Sequence, residues 1–320
     1  MVKHSTLSAG IDTGKRKLDV ALAGRVERLQ VDNSADGHTS LSAWLRRYRV
    51  ERVGIEATGG YEGAVVAKLR RDGFVVVVLQ PAQVRAYARF KLQRAKNDRI
   101  DAALIAACAA AVQTIHAPPD PRLAPLAEHL TMIEQLGEDI ARLKTRRASP
   151  RGDVRISALW TAEIAHLKTL VRQEMAALLA AIRQHEDFAK RLDLIRSVSG
   201  IGERTAVAIL LRMPEIGSLS REQVAALAGL APYDRDSGES SDKRYIEGGR
   251  TRLRRALYAA ALPAAFRWNA ALTALYRRLL AKGKPHKLAL VACARKLLVQ
   301  VNAVVARGTP WIPQVRLLPP

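Results

Sequence analysis

The sequence predicts an α/β domain followed by a helical middle region and a mostly helical C-terminal domain. Short apolar segments alternate with amphipathic ones over residues 5–80, which is typical of mixed strands and helices. Apolar residues then recur at intervals of three or four over 122–190, which indicates two long helices. A polar, glycine-containing loop between apolar helical segments marks the last third of the chain. We therefore expect domains at 1–118, 119–192 and 193–320.

The first domain contains an ordered succession of predicted elements. Strand patterns occupy STLSAGID, KLDVALAG, VERLQVDN, ERVGIEA and FVVVVLQ, and we expect the last to be fully buried and to end at Pro81. Helical spacing occupies TSLSAWLRRYRV and YEGAVVAKLRRDG, and Gly73 closes the second helix. The order is β-β-β-α-β-α-β, followed by helical sequence over 82–118. Three meandering strands followed by α/β units are typical of the RNase H-like fold.

The charge of the chain indicates its partners. The 320 residues include 52 Lys and Arg against 30 Asp and Glu, a net charge of +22. Basic side chains that neutralise phosphates release condensed counterions, so a polyanion is the expected partner. An anionic membrane surface is the alternative, but we find no run of 18 uncharged apolar residues and no apolar leader. Nucleic acid and a cytoplasmic location are therefore favoured, and 231–320, with 17 Lys and Arg against 5 Asp and Glu, should contact the polyanion heavily.

The two cysteines give no sign of a metal or disulfide site. Cys108 and Cys293 lie far apart in Ala- and Leu-rich segments, without a CxxC pattern. We expect both to be small buried side chains.

The middle region is predicted to form a helical hairpin or a coiled coil. Its first run has apolar residues at Leu123, Leu126, Leu130, Ile133, Leu136, Ile140 and Leu143. After the interruption RRASPRGD, a second run roughly continues the pattern with Leu167, Leu170, Met175, Leu178 and Ile182. The functional hypothesis is a spacer or an oligomerisation arm, and ordinary helix packing within one domain is the alternative.

Four carboxylates lie at related points of the first domain. Asp12 falls at the end of the first predicted strand and Glu56 at the end of the fourth, and these strands are neighbours in an RNase H-like sheet. Asp98 and Asp101 are three residues apart on a predicted helix, which places them on one face. Converging carboxylates repel one another without cations, so we expect them to bind hard ions such as Mg²⁺ or Mn²⁺. Two such ions about 4 Å apart can assist phosphoryl transfer.

Each part of this pattern also has an ordinary explanation. An Asp at a strand end is commonly a turn residue or a helix cap, and two acids on a helix are commonly solvated. The metal hypothesis rests on their joint occurrence in one topology of a very basic chain. The segment EATGGY adds two glycines after Glu56, which suit a phosphate at a helix N-terminus, and Thr58, which could cap that helix.

The last domain contains three features that point to nucleic-acid chemistry. SVSGIGERTA resembles the second half of a helix-hairpin-helix, whose turn at Gly200 and Gly202 would offer backbone N–H groups to a phosphate; a plain interhelical turn is the alternative. Ser237, in a polar loop, could attack a phosphodiester with nearby arginines stabilising the charge, although most loop serines have no such role. The expected nucleic-acid-binding arginines are Arg250, Arg252, Arg254 and Arg255.

Taken together, these motifs resemble the DEDD-type transposases of insertion sequences, which are related to the Piv DNA invertases. GIDTGKRKLDVAL, IEATGGY and KNDRIDAALIA are similar to the family's D, E and D-x-x-D blocks. SGIGERTA, LAGLAP and GGRTRLRRALY are similar to its C-terminal transposase domain. The resemblance covers nearly the whole chain.

The resemblance implies a RuvC-like N-terminal domain that binds Mg²⁺ through Asp12, Glu56, Asp98 and Asp101. It also implies a nucleophilic serine that forms a covalent phosphoserine link to DNA. We assign this role to Ser237 by its position before a glycine, with Ser240 and Ser241 following closely. A homo-oligomer, dimer or tetramer, with domains meeting between subunits is implied as well. Some members pair an element-encoded structured RNA with DNA, so a guide RNA is a further expected partner besides the element ends and the target.

Three functional hypotheses follow. The first is a transposase or site-specific recombinase that uses metal ions and a serine. The second is a RuvC-like, structure-specific endonuclease that uses metal-activated water, which the serine loop argues against. The third is a non-catalytic basic nucleic-acid-binding protein, which the complete set of acidic residues argues against.

Overall fold

A computed structural model describes residues 7–92, 98–113, 115, 120–148, 153–233 and 245–312, with the backbone alone described at 98–100. The chain divides into two compact units, 1–118 and 119–320. A further division of the second unit into an arm and a C-terminal domain stays a prediction.

The first unit is built on a five-stranded sheet of order β3-β2-β1-β4-β5. Its strands are β1 (Ser8–Thr13), β2 (Lys17–Leu22), β3 (Arg28–Asp32), β4 (Arg52–Glu56) and β5 (Val75–Leu79). Its helices are α1 (Ala35–Arg47), α2 (Gly63–Arg71), α3 (Pro81–Phe90) and α4 (Asp98–Ala111). β1 pairs antiparallel with β2 and parallel with β4. The predicted element order is confirmed, and this strand order is that of an RNase H-like domain.

Alternation along the strands gives the sheet two different faces. On one face, Ile11, Val53 and Ile55 belong to a core cluster that also contains Leu41 and Leu45 from α1. On the other face, the central strands carry glycines where α4 crosses them. A Cβ added at Gly10 would lie 2.1 Å from the carbonyl oxygen of Ala102, and one added at Gly54 would lie 2.5 Å from the Cβ of Ala109. The backbone of α4 therefore lies directly on β1 and β4.

The prediction that FVVVVLQ is a fully buried strand was wrong. β5 is the last strand of the sheet, and Val75 and Val78 are 43% and 37% exposed. A strand with one neighbour cannot be covered as completely as a central strand. Pro81 does follow the strand, where it also occupies the first position of α3, a site at which the missing N–H of proline costs nothing.

In the part of the second unit that the structure describes, one short ribbon accompanies the helices. Its helices are α5 (Leu123–Arg147), α6 (Val154–Arg183), α7 (Glu186–Ser197), α8 (Glu203–Arg212), α9 (Arg221–Leu227), α10 (Thr251–Pro263), a π-helix (Ala264–Trp268), α11 (Ala270–Ala281) and α12 (His286–Arg307). The ribbon pairs β6 (Pro232–Tyr233) antiparallel with β7 (Tyr245–Ile246).

Helices α5 and α6 form the predicted hairpin. His129 Nε2 lies 2.8 Å from Glu174 Oε2, and the Arg146 guanidinium lies 5.9 Å from the ring centre of Trp160. Contacts between early residues of one helix and late residues of the other require an antiparallel arrangement. The apolar residues predicted for α5 line the contact, since all but Leu136 are buried and Leu136 packs against them.

Helix α12 lies in the core of the second unit. Among the described helices, it is long and apolar enough to cross a membrane, with a mean hydropathy of 1.7, but half of its apolar stretch is buried within the fold. Leu290, Leu297, Leu298 and Val301 are fully buried. Core packing accounts for the composition of α12, as expected for a central helix of a helical domain.

Both cysteines are free and buried, as predicted. Burial raises the pKa of the Cys293 thiol to about 11 and also raises that of Cys108. Thiols with raised pKa are poor nucleophiles and poor metal ligands, which fits two packing residues.

We expect Gly10→Ala to destabilise the first unit, because the added methyl group would clash with the backbone of α4. Overpacking of this kind costs about 1–3 kcal/mol. The measurement is the free energy of unfolding by chemical denaturation. Gly63→Ala is the matched control, since nothing lies within 4 Å of its added Cβ. Equal stability of the two variants would show that α4 does not lie against β1 at Gly10.

Candidate active site

Asp12 and Glu56 lie side by side on the sheet face that α4 covers. The parallel register pairs Gly10 with Gly54 and Ile11 with Ile55, and Asp12 and Glu56 are the next residues along each strand. Neighbouring strands are about 4.8 Å apart. Both carboxylates are half-buried. The sequence prediction that these two residues share one edge of the sheet is therefore met by the strand pairing.

The direction of α4 brings its first turn to the same edge. Arg52, at the start of β4, donates to the carbonyl oxygens of Ala109 and Val112, each at 3.0 Å. The last turn of α4 thus lies at the beginning of the strands, and Ala102 lies over Gly10 further along β1. Because α4 runs antiparallel to β1 and β4, its first turn points toward the strand ends that hold Asp12 and Glu56.

Asp98 and Asp101 both belong to this first turn of α4. Asp101 is half-buried, whereas the side chain of Asp98 is outside the described residues. Considering only side chains that are described, no group of three or more His, Cys, Asp or Glu lies close enough to hold a metal ion, and Asp98 does not enter that comparison. The donor set around this edge consists of carboxylate oxygens, which fits a hard divalent cation better than zinc or copper.

A further acid, Asp19, lies next to Asp12 across the β1–β2 pair. Its Oδ1 accepts a hydrogen bond of 2.8 Å from Gln30 Nε2, and Gln30 in turn accepts from Lys17. Asp19 is thereby held toward β3, on the side of β1 away from Glu56. This position makes Asp19 a useful comparison residue for Asp12.

The loop after Glu56 does not have the predicted form. Thr58 does not cap α2, because the helix begins only at Gly63 and the Thr58 hydroxyl donates to the carbonyl oxygen of Glu56. Instead, Glu62 Oε2 accepts from the backbone N–H groups of Thr58 and Gly60, at 3.1 and 2.9 Å. The carboxylate of Glu62 therefore accepts a hydrogen bond from the N–H group of Gly60, one of the two glycines that the sequence suggested for a phosphate.

In the second unit, the predicted glycine turn lies between α7 and α8. Gly200 has a φ of +100°, and a Cβ there would lie 2.4 Å from the Cβ of Ala264 in the π-helix. Gly202 is the N-cap residue of α8, and no side chain caps that helix. Both glycines border a cleft of about 670 Å³ between α5, α8 and α10, which Arg252 and Arg255 also line. Four of the six predicted nucleic-acid-binding residues therefore share one cavity.

The arginines that line this cleft face acidic residues of α5. Arg252 Nη1 lies 2.9 Å from Glu134 Oε2, and Arg255 Nη1 lies 2.5 Å from Glu138 Oε1. The Arg255 hydrogen bond lowers the pKa of the Glu138 carboxyl. Arg212 pairs with Glu134 as well, at 2.6 Å. Sequence reasoning missed these partners, because they are more than 70 positions away and carry no local signal.

Arg250 and Arg254 hold the chain around the glycine-rich turn before α10. Arg250 makes two hydrogen bonds to Glu215, of 2.6 and 2.7 Å, and these lower the pKa of the Glu215 carboxyl. Arg254 Nη1 donates to the carbonyl oxygens of Gly248, at 2.7 Å, and Gly229, at 3.2 Å. Each of the four predicted arginines thus has partners within the chain, and Arg255, 67% exposed, is the most accessible.

The predicted nucleophile, Ser237, lies outside the described residues, as do Ser240 and Ser241. The structure does describe the two ends of their loop, where Tyr233 pairs with Tyr245 in the β6–β7 ribbon. Below the ribbon, a Cβ added at Gly249 would lie 2.2 Å from the backbone nitrogen of Gly229. The base of the serine loop is therefore anchored by close glycine packing and by Arg254.

Comparison with known proteins finds relatives along most of the chain. Residues 9–150 match the family model of DEDD transposases of the IS110 type, described as Transposase, and residues 192–277 match the Transposase IS116/IS110/IS902 family. The chain belongs to this transposase family. It is accordingly an enzyme that cuts and rejoins DNA, and the hypothesis of a non-catalytic binding protein is not supported.

Individual relatives of this transposase include both full-length and partial matches. The pilin gene-inverting protein of Moraxella bovis is 25% identical over 312 residues, covering 94% of this chain and 96% of that protein. An insertion element IS110 protein of Streptomyces coelicolor, named as an uncharacterized 43.6 kDa protein, is 31% identical over 143 residues, covering 44% and 35%. Among solved structures, Thermus thermophilus RuvC in complex with Holliday junction substrate matches 32% of this chain and 91% of that chain, with 19% identity and a TM-score of 0.27.

The different environments of Arg254 and Arg255 lead to a testable distinction. We expect Arg254→Ala to lower the free energy of unfolding by about 1–3 kcal/mol, because it removes charged hydrogen bonds to two carbonyl groups. Arg255→Ala should change stability by less than about 1 kcal/mol, because its ion pair is exposed. Thermal or chemical unfolding measures both effects. Equal losses of unfolding free energy in the two variants would contradict the structural role assigned to Arg254.

Proposed function

We propose that this transposase cuts and rejoins DNA with divalent metal ions bound in the first unit and a serine nucleophile supplied by the second. The observation that supports the metal site best is the packing of α4 on Gly10 and Gly54. This packing directs the first turn of α4 toward the edge where Asp12 and Glu56 end their strands.

The proposed metal ligands are Asp12, Glu56, Asp98 and Asp101. Their oxygen donors favour Mg²⁺, with Mn²⁺ as a substitute. When bound, such ions orient a phosphodiester and stabilise the charge that develops on its oxygens. The chain contributes by holding two carboxylates on neighbouring strands and two on one helix turn, so that rigid elements fix their spacing.

The proposed nucleophile is Ser237. Its Oγ attacks the phosphorus of a DNA phosphodiester and loses its proton to a base, while one P–O ester bond breaks and the departing sugar oxygen takes up a proton. A phosphoserine ester remains, and a DNA hydroxyl later attacks it to rejoin the strand and release the serine. The anchored β6–β7 ribbon and the family resemblance of the loop support this assignment, with Ser240 and Ser241 as the nearby alternatives.

The proposed partners are the DNA of the element ends and of the target, with an element-encoded guide RNA as a second nucleic acid. The charge of +22 supports a large phosphate surface. We assign phosphate contacts to Gly200, Gly202, Arg252 and Arg255, which line one cleft. Arg250 and Arg254 have a structural role in this proposal. Because they bind Glu215 and Gly248 of the same chain, they support the serine loop. We also propose that the protein is a cytoplasmic homo-oligomer, either a dimer or a tetramer.

Loss of one metal-binding carboxylate should abolish strand cleavage but leave DNA binding in place. We expect Asp12→Asn and Asp101→Asn to reduce cleavage at least about a hundredfold, because even partners of metal ligands contribute 10–100-fold. Cleavage of a labelled element-end duplex in Mg²⁺ measures activity. The wild-type melting temperature should rise with MnCl₂, and that of Asp12→Asn should not.

Asp19→Asn is the matched control for Asp12→Asn, since Asp19 lies on the adjacent strand and is bound by Gln30. It should retain cleavage and the response to manganese. Full activity of Asp12→Asn, or an equal loss in Asp19→Asn, would remove the support for the proposed ligand set.

Replacement of the nucleophile should separate the recombinase from a metal-and-water endonuclease. We expect Ser237→Ala to eliminate the covalent protein–DNA adduct on a denaturing gel, while Ser240→Ala and Ser241→Ala keep it. An adduct that survives in Ser237→Ala and disappears in a neighbouring variant would move the nucleophile to that serine. Cleavage without any adduct in the wild-type protein would favour the endonuclease.

A further inference from the structure

Trp268 is an exposed aromatic residue on the cleft of the second unit. Its side chain is 60% exposed, so one face of the indole is available to a ligand in the cleft. It lines the same cleft as Gly200, Gly202 and Arg204, together with small apolar residues of α10 such as Ala259 and Ala260. The cleft volume of about 670 Å³ is within the range of sites for ligands of nucleotide size.

The backbone around Trp268 is fixed to the glycine turn. The next residue, Asn269, is buried, and its Nδ2 donates to the carbonyl oxygen of Ser199, at 3.0 Å, and to Gln300 Oε1, at 3.2 Å. Asn269 Oδ1 accepts from the backbone N–H of Leu272 and thereby caps the N-terminus of α11. Trp268 ends a π-helix, a conformation that often occurs at functional sites. The exposed indole is thus held by a rigid backbone beside the turn.

Arg204 supplies a cation that has no acidic partner among the described residues. It lies in the first turn of α8, two residues after Gly202, and is exposed. Its guanidinium passes α5 at Gly137, where an added Cβ would lie 3.6 Å from Nη2. Arg252 and Arg255, by contrast, face Glu134 and Glu138. Arg204 is therefore the side chain in this cleft best suited to bind a phosphate.

We propose that this cleft binds an unpaired nucleotide of a DNA strand, with the base stacked on Trp268 and the adjoining phosphate on Arg204. The inference rests on the proposed function, for which it names a substrate feature. A base inside a duplex is already stacked on both sides, whereas an unpaired base can offer a free face to an indole.

The charge of the surrounding sequence favours nucleic acid over a protein segment as the occupant. Residues 248–320 contain 14 Lys and Arg and no Asp or Glu. Trp268 lies within this stretch, and α10, which forms one wall of the cleft, does as well. We assign the strand to DNA because the family cuts and rejoins DNA.

The experiment measures binding of fluorescent oligonucleotides to the full chain in EDTA, so that neither metal binding nor serine chemistry contributes. We expect Trp268→Ala to weaken binding of single-stranded DNA by about tenfold or more, while Trp268→Phe keeps most of the affinity. Binding of blunt duplex DNA should change little in either variant. Arg204→Ala should weaken single-stranded binding and lower its salt dependence by about one phosphate.

Phe266→Ala is the matched control, because Phe266 belongs to the same π-helix, is 51% exposed and does not line the cleft. It should leave single-stranded binding unchanged. Unchanged affinity of Trp268→Ala, or an equal loss for duplex DNA, would overturn the proposal. Tighter, Trp268-dependent binding of RNA of the same sequence would overturn the assignment to DNA. Because cleavage is not measured, these results do not depend on the metal ligands or on Ser237.

Discussion

The close contact of α4 with β1 and β4 is the constraint on which the candidate metal site depends. Gly10 and Gly54 remove the side chains that would separate a helix from the sheet, and the backbone of α4 contacts the strands directly. Arg52 fixes the direction of the helix by binding its last carbonyl groups. These contacts set the direction of the helix and bring its first turn to the edge that holds Asp12 and Glu56.

Close backbone packing at glycines also occurs at two places in the second unit. Gly200 lets the α7–α8 turn pack on Ala264 of the π-helix, and Gly229 packs on Gly249 below the serine loop. In each case a polar side chain ties the two segments together: Asn269 binds the first turn through Ser199, and Arg254 bridges Gly229 and Gly248. The surfaces proposed to bind DNA are thereby supported by close backbone contacts.

The arginines of the second unit fall into two groups. Some form partly buried ion pairs that stabilise the fold, and others are exposed and accessible to a ligand. Glu134 accepts from Arg212 and Arg252, and the Arg212–Glu134 pair is less than 20% exposed on either side. Pairs of this kind are costly to break, because the remaining partner would be left with little solvent. An exposed cation such as Arg255 exchanges its partner at much lower cost. Density of arginine in the sequence therefore does not by itself locate a phosphate site.

By itself, the sequence determined the element order of the first unit, the α5–α6 hairpin and the family, because hydrophobic periodicity and local motifs are read within short segments. It also placed Asp12 and Glu56 at strand ends that the register brings together. Only the tertiary structure decided that β5 is an edge strand, that Glu62 fills the turn after Glu56, and that Arg250 and Arg254 support the chain. It alone placed Trp268 and Arg204 on one cleft. These features depend on side chains that are distant in sequence. A local sequence pattern does not indicate which distant residues come into contact on folding.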